Sequence, residues 1–317
     1  MEVKHGTLRK FRRELKEEDL VGLNSENASC IKRLASKSSS AFLSEIPMKN
    51  QAAVAAILFQ GQDGQLRVVM TTRSLHLRSH PGQASLPGGK FDQVDDSFEE
   101  TALRESVEEI GLEPDRVIWL MTSPPFLSKT AMLVHPVVFF MPVAEGSNEL
   151  SRFKANPSEV DAIWSTPLVQ FLFSKPLAEG AEQTLSFADP TLVDPHRPPQ
   201  HALRTYSDLP WILGSYRLHR FRTTHQLVKG LTADILINVS AEAYGRRPAF
   251  RDRAPDQKTW PEMIEFVVQR YTEGKRGQKR WGDGESGDSN GTETLYETFE
   301  GTDDAEGQDC ATVETTL

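Results

Sequence analysis

The stretch Gly89-Lys90-Phe91-Asp92-Gln93-Val94-Asp95-Asp96-Ser97-Phe98-Glu99-Glu100-Thr101-Ala102-Leu103-Arg104-Glu105-Ser106-Val107-Glu108-Glu109-Ile110-Gly111-Leu112 decides how this chain is read. Its second half predicts a helix over about 97–110, with Asp95, Asp96 or Ser97 as the cap and Gly111 as the stop. Within it, Arg104-Glu105-Ser106-Val107-Glu108-Glu109 sets three carboxylates in five residues. At about 100° per residue, positions 105, 108 and 109 share one helix face. Carboxylates so placed repel one another by about a few tenths of a kcal/mol per pair, which a divalent cation offsets. For these six residues alone, a solvated acidic face is the plainer reading.

Outward from the helix, the pattern is that of an α/β protein. Upstream, Leu86-Pro87-Gly88-Gly89-Lys90 carries a glycine pair, which lets backbone turn sharply or approach a ligand closely. Before it, 53–59 reads as a buried strand, Gln62-Asp63-Gly64 as a turn and 66–72 as the partner strand of a hairpin. Downstream, 117–121 and 134–141 read as strands, and 159–164 leads into a short helix at 167–173. Residues 174–210, rich in Pro, Asp and His, read as an insertion loop, 218–222 as a last strand and 231–244 as a helix. In the N-terminal part, 14–20 reads as a helix and Ser36-Lys37-Ser38-Ser39-Ser40 as a linker.

Glycine loop, acidic helix and glycine stop together resemble the Nudix hydrolase signature, G-x5-E-x7-R-E-U-x-E-E-x-G-U with U a bulky aliphatic residue. Gly89, Arg104, Glu105, Val107, Glu108, Glu109, Gly111 and Leu112 match it. The first Glu falls on Asp96, with six residues instead of five after Gly89. The segment before the box is similar to the element that marks the coenzyme A-type members. Arg73, Ser74, Leu77, Arg78, His80, Gly82, Gln83, Ala84, Leu86, Pro87, Gly88 and Gly89 fall on its positions. The resemblance covers roughly residues 51–250.

It implies a Nudix-type α/β/α sandwich around a mixed β-sheet, with 1–50 as an N-terminal extension, 51–272 as the hydrolase domain and 273–317 as an acidic disordered tail. It implies Mg²⁺ or Mn²⁺ held mainly by Glu105 and Glu109, with Glu108 as a further ligand or base. Arg104 then orients a glutamate; its alternative is a surface pair with Glu108 at i,i+4. Arg73 and Arg78 are candidates for substrate phosphate, because guanidinium forks match phosphate oxygens; the alternative is that they brace the loop by salt bridges. His80 either contacts substrate or caps the Pro81-Gly82 turn, and Gly88 and Gly89 bring backbone to the substrate. The implied reaction is hydrolysis of the diphosphate bond of coenzyme A or acyl-coenzyme A to 3′,5′-ADP and (acyl-)4′-phosphopantetheine. The rivals are another nucleotide-derived diphosphate, such as NADH or an oxidised nucleoside triphosphate, and a catalytically silent binding module. Trp164, Trp211 and Phe221 read as core; His135, His219 and His225 lack metal-ligand spacing.

Composition sets the outer bounds. The net charge of −9 over 317 residues is an average over two unlike parts. Residues 282–317 hold eleven acids and no Lys or Arg, which leaves 36 basic against 34 acidic residues in the rest. That balance argues against a nucleic-acid surface. Two cysteines, Cys30 and Cys310, both in flanks expected to be poorly structured, argue against a disulfide framework or a structural zinc. The apolar runs are too short to span a bilayer, so no membrane partner is expected. An intracellular, reducing compartment follows, with cytosol, mitochondrion and peroxisome all compatible.

Overall fold

The computed structural model describes residues 13–37, 46, 50–142, 149–175, 203–211 and 213–281, with only the backbone of 274–281. Strand β1 (Gln51–Gln60) lies at the centre and is buried almost throughout. Strands with both faces covered read as continuous apolar runs, as its Ala, Val, Ile and Leu residues do. β1 runs parallel to β7 (Leu133–Phe140) and antiparallel to β2 (Leu66–Arg73) and to β4 (Gly88–Lys90). β3 (Ala84–Ser85) and β8 (Val160–Pro167) pair with β2; β5 (Ile118–Thr122) and β6 (Phe126–Leu127) pair with β7. The sheet is therefore mixed and eight-stranded. The expected turn at Gln62-Asp63-Gly64 joins β1 to β2, with Gly64 at φ +72°.

Alternation along β1 explains the layers. Ala53, Ala55, Ile57 and Phe59 pack with Phe98, Ala102, Leu103 and Ile110 of α2 (Phe98–Ile110). Ala52, Ala56 and Leu58 face the opposite side, with α1 (Ser25–Ala35) and α3 (Gly230–Tyr244). Side chains two apart along a strand share a face, so one strand serves both cores. This is the α/β/α arrangement expected.

Several expectations change. The helix expected over 14–20 is a 3₁₀ turn at Glu17–Leu20. The true first helix is α1, capped by Asn24, whose side chain accepts from Asn27 N–H. Its buried residues, Asn27, Cys30, Ile31 and Leu34, follow a 3.6-residue period, so the expected N-terminal extension contributes a helix to the core. Cys30 accordingly lies in that core and not in a loose flank. The expected insertion loop of 174–210 ends in a strand. β9 (Arg204–Trp211) forms a small sheet with β10 (Gly214–Phe221) and β11 (Val228–Lys229). Pro210 is compatible with this because β9 is an edge strand, where a missing N–H costs no ladder bond. Helix α4 (Trp260–Trp281) crosses the expected boundary at 272. Thr259 and Glu262 form its capping box, and Met263, Ile264 and Val267 bury its inner face.

Trp164 and Phe221 are buried, and Trp211 is partly so. The Ser38-Ser39-Ser40 part of the linker, residues 176–202 of the insertion, the acidic stretch from 282 onward and Cys310 lie outside the described residues. No helix among the described residues is long and apolar enough to cross a membrane.

Candidate active site

The site is built where α2 faces the β3–β4 corner. Ser97 caps α2 by accepting from Glu100 N–H, and Gly111 at φ +66° ends it. This fixes the helix phase, and with it the direction of each carboxylate. Glu109 is buried, and its Oε2 accepts from Gly88 N–H at 3.2 Å. Glu105 lies against Gly89, where a Cβ would stand 2.4 Å from the carboxylate carbon. The two glycines therefore form a cradle for two carboxylates. Gly88 is also pinned from behind: at φ +153°, a Cβ there would meet Ala53 O at 2.4 Å and Val54 Cα at 2.6 Å.

Arg104 holds the other side of this cradle. Its guanidinium donates to Asp95 through Nε at 3.0 Å and Nη2 at 2.9 Å, and to Glu105 through Nη1 at 2.8 Å. Glu108 Oε2 lies further off, 3.5 Å from Nη1. Burial works against the guanidinium charge, but Asp95 and Glu105 outweigh it and raise its pKa. Burial also opposes ionisation of Asp95, yet hydrogen bonds from Arg104, Asp92 N–H and Thr101 keep its carboxyl below the usual range. Both alternatives for Arg104 are thus present, and the pair with Glu105 is the closer.

Asp95, and not Asp96, occupies the supporting position. Asp95 is buried between Arg104 and Thr101, while Asp96 is exposed and its N–H donates to Glu100. Gly89 and Asp95 are separated by five residues, and the additional residue falls between Asp95 and Arg104. The sequence departure thereby moves to the stretch between Asp95 and Arg104, which contains the Ser97 cap of α2.

Burial pushes the Glu109 carboxyl up to about 8; Glu105 and Glu159 add to the rise, while Gly88 N–H and Arg73 oppose it. Burial likewise raises Glu105, with Arg104 opposing and Glu108 and Glu159 reinforcing. Glu159, just before β8, was not singled out from the sequence. Only the folded chain brings it within electrostatic reach of both glutamates. Glu108 is 50 % exposed at its side chain and sits on the outer side of the helix, beside Arg104.

Among the described residues, no three His, Cys, Asp or Glu side chains converge into a set that could hold a metal ion. The donor set nonetheless fits Mg²⁺ or Mn²⁺ in one way. Mg²⁺ commonly takes one or two carboxylates and completes its shell with water and substrate phosphate. Glu105 and Glu109 would be those two carboxylates: Glu105 raises the Glu109 carboxyl by its charge and is itself paired with Arg104.

The loop between β2 and β3 approaches the same corner. Arg73 is half-buried, donates from Nε to Ser79 O at 3.3 Å and acts electrostatically on Glu109. Arg78 and His80 are exposed near the loop tip. His80 has φ +54°, and its carbonyl accepts from Gln83 N–H at 3.3 Å, which makes it part of the turn. His135 is buried against Phe98 and pairs with Gln51, and His219 pairs with Arg204, so both serve the core.

Residues 49–185 match the family model described as NUDIX domain. That stretch holds the mixed sheet, the glycine pair and the acidic helix, and it is this part of the chain that carries a NUDIX domain. It is 35 % identical over 217 residues to "Nudix hydrolase 15, mitochondrial" of Arabidopsis thaliana, covering 67 % of this chain and 65 % of that protein. It is 35 % identical over 144 residues to "Peroxisomal coenzyme A diphosphatase 1, peroxisomal" of Saccharomyces cerevisiae, covering 38 % and 42 %. The chain thus spans less than two thirds of the length of these curated relatives. Among solved structures, the NUDIX domain of Shewanella oneidensis NrtR complexed with ADP ribose is 24 % identical, covering 44 % of this chain and 84 % of that one, with a TM-score of 0.30.

Proposed function

We propose that the chain hydrolyses the diphosphate bond of coenzyme A or acyl-coenzyme A, giving 3′,5′-ADP and (acyl-)4′-phosphopantetheine, with Mg²⁺ or Mn²⁺. The observation that carries this reading is the convergence of the Arg73–Gly89 segment on the α2 carboxylates. Gly88 N–H bonds Glu109, and Arg73 lies within electrostatic reach of it. The relatives named as peroxisomal coenzyme A diphosphatases support the choice of substrate.

In this reading Glu105 and Glu109 hold the cation, with Glu108 as an outer ligand or base. The bound cation neutralises the diphosphate and acidifies a water. Arg104 opposes the upward push of burial on the Glu105 carboxyl and orients it, and Asp95 keeps Arg104 in place. Gly89, lacking a Cβ, leaves room for the Glu105 carboxylate against the loop. Arg73 and Arg78 bind substrate phosphate, and His80 holds the turn between them and the glycines. Glu159, which acts electrostatically on both glutamates, is our further candidate to accept a proton from an attacking water.

The test is incubation of the purified protein with coenzyme A and Mg²⁺, then Mn²⁺, with products identified by mass. The reading expects 3′,5′-ADP and 4′-phosphopantetheine, and their loss on adding a chelator. Cleavage of NADH or an oxidised nucleoside triphosphate, with coenzyme A and its thioesters left intact, would refute the substrate assignment.

A further inference from the structure

The loop that carries Arg73, Arg78 and His80 is closed at its neck by backbone pairing. Arg73 N–H donates to Gln83 O and Gly82 N–H to Arg73 O, both at 3.0 Å. Its first limb is fastened to the start of β8 and the residue before it: Ser74 N–H donates to Glu159 O at 2.8 Å and Leu75 N–H to Asp161 Oδ2 at 3.2 Å. Beyond the neck it packs little: Leu75 is 71 % exposed, and Arg78 and His80 are exposed as well. A loop of this kind takes its direction from the residues at its base.

Gln226 reaches that base from the small sheet. It sits in the connection between β10 and β11, and its half-buried side chain spans both limbs of the neck. Its Oε1 accepts from the Thr72 hydroxyl at 2.7 Å, and its Nε2 donates to Gly82 O. A flipped amide would set its oxygen against the Gly82 carbonyl, so one orientation suits both partners. The Thr72 hydroxyl in turn accepts from the Trp164 indole N–H at 3.2 Å, and Trp164 stacks on His225 at 4.9 Å. The connection is shaped before it meets the loop. Thr223 Oγ1 accepts from His225 N–H at 3.1 Å and Gln226 N–H at 2.9 Å, and donates to Gln226 O at 2.7 Å.

We propose that Gln226 is a positioning residue that sets the Arg73–Gln83 loop over the carboxylate pair, and so governs substrate affinity while leaving the chemical step alone. The inference rests on the reading of that loop as substrate-binding. Gln226 touches neither Glu105 nor Glu109; it acts through Thr72 and Gly82. A brace that served only fold stability could join the two sheets at many points, whereas this one sits at the hinge of the loop.

The test compares the full-length protein with Gln226→Leu, which keeps the size of the side chain and removes both hydrogen bonds, and with Thr72→Val. Steady-state kinetics on coenzyme A with Mg²⁺ should show KM raised about tenfold in each, with kcat within about twofold, the sign of lost uniform binding. The double variant should be no worse than either single one, because both break one network. Amide exchange should quicken over 74–82 and stay slow over 51–60 and 98–110. KM within about twofold of the parent, kcat falling at constant KM, or protection lost throughout the domain would each overturn the proposal. If Gln226→Leu does not fold, Thr72→Val carries the same criteria. If the protein cleaves another diphosphate and spares coenzyme A, the substrate reading fails alone, and the KM comparison is made on that diphosphate. Exchange needs no turnover and decides the matter if no substrate is found.

Discussion

Replacing Gly89 with alanine adds a methyl carbon that would stand 2.4 Å from Glu105 Cδ and Oε1 and 2.6 Å from Oε2. The obstructing atoms are the end of a flexible side chain, so the backbone can stay and Glu105 must swing away. Leaving its rotamer costs about 0.5–1.5 kcal/mol. Losing the half-buried pair with Arg104 adds about 1 kcal/mol. A total of about 2 kcal/mol should lower the melting temperature of a domain this size by roughly 4–8 °C. Activity should suffer far more, because a displacement of about 1 Å in a reacting group costs on the order of 100-fold. Gly88→Ala should lose more stability than Gly89→Ala. Its methyl meets backbone, Ala53 O at 2.4 Å and Val54 Cα at 2.6 Å, at φ +153°. Overpacking and backbone strain together cost on the order of 3 kcal/mol or more. Differential scanning fluorimetry beside initial rates on coenzyme A separates the two variants. Gly89→Ala with rates within about threefold of the parent would refute the placing of Glu105 in the site.

Three further outcomes follow from the geometry. Asp95→Ala strips Arg104 of its bidentate partner and should cost about 3 kcal/mol in chemical denaturation, whereas Asp96→Ala should cost under about 0.5 kcal/mol; equal losses would contradict the assignment of Asp95 to the supporting position. Burial holds the Asp234 carboxyl well above its ordinary range, with the Tyr216 hydroxyl at 2.5 Å opposing and Asp252 reinforcing. A raised carboxyl pKa leaves the folded form protonated while the unfolded form ionises, so stability falls as pH rises above about 4. Asp234→Asn should therefore raise the melting temperature at pH 7.5 and lose that gain near pH 4, and a pH-independent difference would count against it. Finally, Mg²⁺ at 100 times its Kd should stabilise the parent protein by about 2.7 kcal/mol. Glu105→Gln should show much less of this in the same melts, and an undiminished shift would place the cation elsewhere.

The acidic helix was legible because its information is local. Ser97, Gly111 and the 105/109 spacing fix a cap, a stop and a face without reference to the rest of the chain, whereas Glu108, expected on that face, is half exposed beside Arg104. β1 was legible for a similar reason, since a strand covered on both sides shows as an apolar run. α1 and α4 escaped notice although Asn27, Cys30, Ile31 and Leu34 and the Thr259–Glu262 box carried their signals. Mixed charge in the first and the approaching polar tail in the second masked the period. β9 was hidden by Asp208 and Pro210, which are acceptable only because that strand lies at an edge and Arg217 pairs with Asp208. The choice of Asp95 over Asp96, and the parts proposed for Glu159 and Gln226, depend on which groups the fold brings together. No spacing rule along the chain contains that.

The central claim is that the buried α2 carboxylates perform metal-dependent hydrolysis, and Glu109→Gln tests it most directly. The measurement is the rate of diphosphate cleavage with saturating Mg²⁺ or Mn²⁺, beside a melting curve and a circular dichroism spectrum. The account predicts that turnover is abolished while the fold is kept, since glutamine matches the shape of Glu109 and still accepts from Gly88 N–H. A folded variant that cleaves the substrate at the parent rate would contradict it.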